Sequence, residues 1–146
     1  MKEDDIMSNI KTYSMKVACE KTNLSYDTLK YYCNKGLVPN VKRDKNNYRM
    51  FSENDIKWIN SLSCLKNCLM SIKEMKEYLN LCLEGEKSIP KRKKVLDIKL
   101  KELEKKKDEL QKSIDYINSK HKFYDDVLSG KTKYYSNLIK AENDDN

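Results

Sequence analysis

The sequence predicts a mainly α-helical chain in two parts: a small head of short helices interrupted by a two-stranded hairpin, then one long helix. Three observations predict it. Up to Gly85, short apolar stripes at helical spacing recur, opened by serines and closed by glycine or turn residues. Residues 41–51 instead read as two short extended runs around a basic turn. Beyond Pro90 an apolar stripe advances in alternating steps of four and three, free of glycine and proline until Gly130.

The bounds agree with this. A chain of 146 residues makes one or two small domains with a modest core. It is 38% hydrophobic and 36% charged, a balance that suits long exposed helices better than disorder. Three glycines and two prolines are too few for a β-sandwich. A formal charge of +7 is compatible with a polyanionic partner. The arginines are only Arg43, Arg49 and Arg92, and two of them fall in the basic turn region, where a rigid bidentate fork is most useful. Five cysteines, with no Cys-x-x-Cys pair and no secretory leader ahead of them, predict reduced thiols in a soluble cytoplasmic protein rather than a disulfide scaffold. No apolar run approaches membrane length.

Taken in order, residues 1–11 carry Glu3, Asp4 and Asp5 and no periodicity, and read as a mobile tail. Ser14 caps a first helix with Val17, Ala18 and Thr22 inward. After a turn at Asn23-Leu24, Ser25 caps a second helix that buries Leu29 and Tyr32, stops at Gly36 and leaves Tyr26, Asp27, Lys30 and Tyr31 outward. Residues 41–43 and 47–51 form the strands of a wing around Asp44-Lys-Asn46. Ser52 with Asp55 opens a third helix, with Ile56, Ile59, Leu62 and Leu65 inward, which breaks at residues 67–70. Ser71 with Glu74 opens a fourth, burying Ile72, Met75, Leu79 and Leu83 before Gly85. Two short helices followed by a basic hairpin are the outline of a winged helix-turn-helix.

In the long helix, Leu96, Leu100, Leu103, Leu110, Ile114, Ile117, Tyr124 and Leu128 fall on one seam once Lys107 and His121 are counted. That is about four heptads of a coiled coil, which needs a partner helix, most simply from a second copy. Residues 131–139 can add a short helix, and residues 141–146 an acidic tail. The expected domains are 12–87 for the head, 88–129 for the dimerisation helix and 130–146 for the C-terminal segment.

Tyr13-Ser-Met-Lys-Val-Ala18, Leu24-Ser-Tyr-Asp-Thr-Leu-Lys-Tyr-Tyr32, Gly36-Leu-Val-Pro39 and Tyr48-Arg-Met-Phe-Ser52 together resemble the MerR family of transcriptional regulators over residues 12–128. The family usually has Arg where Lys30 stands and Gly where Asn47 stands. The resemblance implies a homodimer held by an antiparallel pair of long helices. Such dimers sit on a pseudo-palindromic promoter in double-stranded DNA and distort it so that RNA polymerase engages. A narrower resemblance runs through Asp55 to Ile59, Ser63 to Lys66, Met70 to Ile72 and Gly85 to Ile89. It is to the aldehyde- and electrophile-responsive branch of the family, and it places Cys64 on that branch's reactive cysteine. The branch commonly has glycine where this chain has Cys68; if that turn needs a left-handed residue, Asn67 can supply it, whereas Cys68 there would cost about 1–2 kcal/mol.

The expected DNA contacts are Ser14, Ser25, Tyr26, Asp27, Thr28, Lys30, Tyr31, Arg43, Tyr48, Arg49 and Ser71. Hydroxyls, Lys and Arg reach phosphates and position the protein; Tyr26 and Asp27 open the recognition helix and are the expected readers of base edges. Ser71 opens a helix N-terminus, where free amides hold a phosphate. Cys64 reads either as a small core hydrophobe or as the sensing thiol; Cys19, Cys33 and Cys82 read as structural. With one histidine, no phosphate-binding glycine loop and no paired nucleophile and base, no catalysis, metal or cofactor is expected. The alternatives are a coiled-coil adaptor, which leaves the basic and aromatic wing unexplained, and a regulator that senses a non-thiol ligand.

Overall fold

The computed structural model describes residues 10–140. The expected acidic tail at 141–146, and all of the expected mobile tail except Ile10 and Lys11, lie outside the described residues. The chain divides into two compact units between Lys101 and Glu102.

In the first unit a short strand β1 (Thr12–Tyr13) leads into helix α1 (Met15–Thr22) and helix α2 (Tyr26–Asn34). Strands β2 (Lys42–Arg43) and β3 (Arg49–Ser52) form the wing, and α3 (Glu53–Asn67) and α4 (Ile72–Leu83) follow. A 3₁₀ turn at Glu86–Ser88 opens into α5 (Ile89–Leu128), where Pro90 sits in the first turn and its missing N–H has no helical partner to lose. The architecture is mainly helical, with the expected wing and long C-terminal helix.

The wing has one strand more than expected. Thr12–Tyr13 pairs antiparallel with β3, Thr12 opposite Ser52 and Tyr13 opposite Phe51, so the order is β1-β3-β2 and β3 is central. On its other side β3 pairs with β2, Lys42 opposite Met50 and Arg43 opposite Arg49.

All four serine caps form. Ser14 Oγ accepts from Val17 N, Ser25 Oγ from Thr28 N, Ser52 Oγ from Asp55 N and Ser71 Oγ from Glu74 N. The last two are reciprocal capping boxes, closed by Asp55 and Glu74 on the backbone N–H of Ser52 and Ser71. Between these caps lies one core that includes Ala18, Leu29, Leu37, Phe51, Ile59, Leu62 and Met75, all fully buried. Trp58 Nε1 donates to the carbonyl oxygen of Leu37 at 2.7 Å, which ties α3 to the loop after α2.

Three expectations are corrected. The left-handed residue after α3 is neither Asn67 nor Cys68 but Leu69, at φ 68°. Helix α3 runs to Asn67 with Cys68 as its cap, so the reversal falls one residue later; Leu69 N donates to Lys66 O and Met70 N to Leu65 O, the Schellman pattern. The same two bonds close α2 through Gly36, at φ 72°. A side chain in that conformation costs about 1–2 kcal/mol, and burial of Met70 beside Leu65 opposes that cost. Leu83 was expected inside but is 59% exposed, because the last turn of α4 runs past Leu79, its last buried apolar residue. Residues 131–139 form turns and bends rather than a helix.

In the second unit, from Glu102, α5 continues to Leu128 and the chain reverses at Gly130. There Phe123 stands against the rings of Tyr134 and Tyr135, with centroids 6.4 and 4.9 Å away. Within this one chain the seam is largely open to solvent: Leu110 is 65% exposed, Ile114 50%, Ile117 54% and Leu128 86%.

Candidate nucleic-acid interface

The site is built from the start of α2 outward. The hydroxyl of Ser25 caps the helix and also donates to Thr28 Oγ1 at 2.9 Å, which holds the first turn rigid. Leu29 and Tyr32 anchor the inner face, and the outer face therefore presents Tyr26, Asp27, Lys30 and Tyr31 to solvent. Two lysines stand over these rings, Lys30 Nζ 5.9 Å from the centre of Tyr26 and Lys35 Nζ 5.6 Å from that of Tyr31.

The wing turn is held by Asp44, whose Oδ1 accepts from Asn46 N at 2.8 Å and Tyr48 N at 3.0 Å. Asn47 takes a left-handed conformation at φ 64°, which asparagine tolerates better than most residues and glycine better still. Arg43 Nη1 donates to the carbonyl oxygen of Asn47 at 2.9 Å and braces the tip. Arg49 Nη2 donates to Asn34 Oδ1 at 2.8 Å, a side-chain bond from the wing to the end of α2. Tyr48 is left 71% exposed.

These elements converge. Tyr26 of the helix lines one small crevice of about 140 Å³ with Arg43, Tyr48 and Arg49 of the wing. Ser14 joins Tyr48 and Arg49 along an adjoining groove of about 410 Å³. On the other side of α2, Asp27, Thr28 and Tyr31 share a groove of about 470 Å³ with Ser71. Both cap groups of Ser71 are engaged by Glu74, whose carboxyl is held below the usual carboxylate range mainly by its hydrogen bond from Lys99 and then by the Ser71 backbone. Lys66 lines that last groove and was not expected. Its place there depends on the turn after α3, which sets the end of that helix beside the start of α4.

Cys64 lies apart from both sides of α2: it lines neither groove and is exposed on α3. Within this single chain Cys64 is exposed rather than packed into the core. Cys19 and Cys33 pack against the core, and burial pushes both thiols up.

A model of the MerR helix-turn-helix family of regulatory proteins matches residues 13–82. An uncharacterised HTH-type transcriptional regulator of Haemophilus influenzae is 34% identical over 113 residues, 77% of this chain and 84% of that protein. This chain is a MerR-family regulator. Another member, the HTH-type transcriptional regulator AdhR of Bacillus subtilis, is 41% identical over 73 residues, half of this chain and 52% of that one. Among solved MerR structures, HiNmlR, a member lacking the sensor domain and bound to promoter DNA, superposes with a TM-score of 0.69 at 33% identity, covering 82% of this chain and 94% of that one. A MerR-family regulator of Listeria monocytogenes gives 0.73 at 31% identity, with 82% and 90% covered. These MerR relatives are transcriptional regulators, and MerR regulators bind promoter DNA. Among the described residues no helix is long and apolar enough to cross a membrane.

Proposed function

We propose that this MerR regulator works as a cytoplasmic homodimer on a pseudo-palindromic promoter, which it distorts so that RNA polymerase engages, and that it has no catalytic activity. One observation carries the reading: Tyr26 of α2 and Arg43, Tyr48 and Arg49 of the wing border the same crevice, so groove reading and phosphate gripping fall on one surface. Ser14, Ser25, Thr28, Lys30, Tyr31 and Ser71 extend the contact, with Asp27 beside Tyr26 at base edges. Residues 12–87 are the DNA-binding head and 88–129 the arm. Two arms pair antiparallel along Leu96, Leu100, Leu103, Leu110, Ile114, Ile117, Tyr124 and Leu128, an apolar face that otherwise meets water. The test is sedimentation with DNase protection of the region upstream of the coding sequence. A dimer protecting two half-sites is expected. A monomer at micromolar concentration, or no protected region, overturns the reading.

Exposure of Cys64 favours a second element, a thiol that electrophiles such as aldehydes reach from solvent. It stands on α3, between wing and arm, where an adduct biases the packing of that helix and so the angle between two heads.

A further inference from the structure

Arg49 is the wing arginine expected to grip the DNA backbone, yet it does not float. Its Nη2 is held at 2.8 Å by Oδ1 of Asn34, fifteen residues away on the last turn of α2. We propose that Asn34 is a positioning residue for DNA binding: it aims the Arg49 guanidinium and locks the wing to the recognition helix.

The chemistry suits this task. A guanidinium has five N–H donors in a fixed plane, and a neutral amide oxygen occupies one of them without neutralising the charge. The remaining donors stay available for a phosphate, already oriented. A carboxylate at the same place would bind the guanidinium more strongly but compete with the phosphate for it. The bond also spans two elements that local sequence does not connect, so it fixes the wing arginine relative to Tyr26, which borders the same crevice. Binding then spends less entropy on ordering a long side chain.

The inference rests on the reading of Arg49 as a DNA contact, and the experiment separates the two. The full-length protein and its Asn34→Ala, Asn34→Asp, Arg49→Ala and Asn34→Ala/Arg49→Ala variants are titrated against a labelled duplex covering the region upstream of the coding sequence, at several salt concentrations. Thermal unfolding midpoints are recorded in parallel. Asn34→Ala is expected to weaken binding about threefold to tenfold, the cost of ordering one freed side chain, with the salt slope unchanged. In the Arg49→Ala background the same substitution is expected to change affinity less than about twofold, since the residue it serves is gone. Asn34→Asp is expected to bind more weakly than Asn34→Ala, although its bond to Arg49 is stronger.

A merely structural tie gives the opposite order: Asp, which keeps the acceptor, rescues binding. Rescue by Asp, additive effects in the double variant, or binding losses that only track lower unfolding midpoints overturn the role of Asn34. If Arg49→Ala itself binds like the parent, the DNA contact of Arg49 fails and the inference falls with it.

Discussion

Lys99 Nζ stands 2.5 Å from Glu74 Oε2 and 3.5 Å from the carbonyl oxygen of Leu69. Its side chain is 8% exposed, so a lysine near the start of the long helix is buried against the turn that joins α3 to α4. A buried ammonium persists only where partners replace its water, and here they include the capping carboxylate of α4 and the carbonyl of the left-handed residue. The base of α5 is therefore fastened to the turn that carries Ser71.

This pair predicts acid sensitivity with a definite sign. The Glu74 carboxyl is lowered from 4.5, chiefly by Lys99, so its contribution is fully present above that value and is lost as pH falls through the lowered one. Unfolding midpoints measured from pH 6 down to pH 3 should fall more steeply below pH 4.5 for the parent than for Glu74→Gln. Glu74→Gln should be less stable at pH 7, where it removes the carboxylate 2.5 Å from the buried Lys99 ammonium. The carboxylate is partly exposed, so the effect should shrink in high salt. Parallel pH curves for the two proteins would remove the pair from the account.

Leu69 offers a gain. With φ at 68° it holds a conformation that costs a β-carbon about 1–2 kcal/mol, whereas glycine at the matching position after α2 is free of it. Leu69 is 39% exposed, so part of its packing is lost on removal and subtracts from that gain. Leu69→Gly should raise the unfolding free energy by no more than about 0.5 kcal/mol, net of that loss and of glycine's greater unfolded freedom, read as a higher denaturant midpoint. A lower midpoint would mean that the side chain packs more than its exposure implies.

The contacts should sort into two kinds. Arg49→Ala and Tyr31→Phe should weaken binding to all operator variants alike, and Arg49→Ala should flatten the salt slope by about one unit. Substitutions of Tyr26 or Asp27 should instead reorder the variants. Equal behaviour of the two groups, with folding intact, would refute the division of roles.

For the thiol, Cys64→Ser should bind the operator like the parent yet fail to raise transcription when an aldehyde is added, while Cys68→Ser should respond normally. Mass spectrometry should find the first adduct on Cys64. Full activation by Cys64→Ser, or earlier modification of Cys68 or Cys82, would move sensing elsewhere.

Local chemistry was legible in the sequence. Ser14, Ser25, Ser52 and Ser71 each cap a helix through a backbone N–H three residues on, and Gly36 has the only side chain that suits its turn without strain. What escaped depends on distant partners. Thr12–Tyr13 is too short to declare itself a strand and becomes one only because Phe51 and Ser52 lie alongside. The site showed the same division. Tyr26, Asp27 and Tyr31 follow from the periodicity of α2, but the groove that Lys66 shares with Ser71 and the bond between Asn34 and Arg49 require the folded chain.

The pairing of β1 sets how far the chain can be trimmed. Tyr13 Oη donates to Glu53 at 2.9 Å, and its strand covers one side of β3 beside the fully buried Phe51. Shortening the protein to begin at Met15 would remove both and leave that side of β3 an open edge, its backbone amides and carbonyls free to add strands from other chains. Truncations that keep Thr12 and Tyr13 retain this cover, whereas those that discard them expose β3 as an edge beside the core residue Phe51.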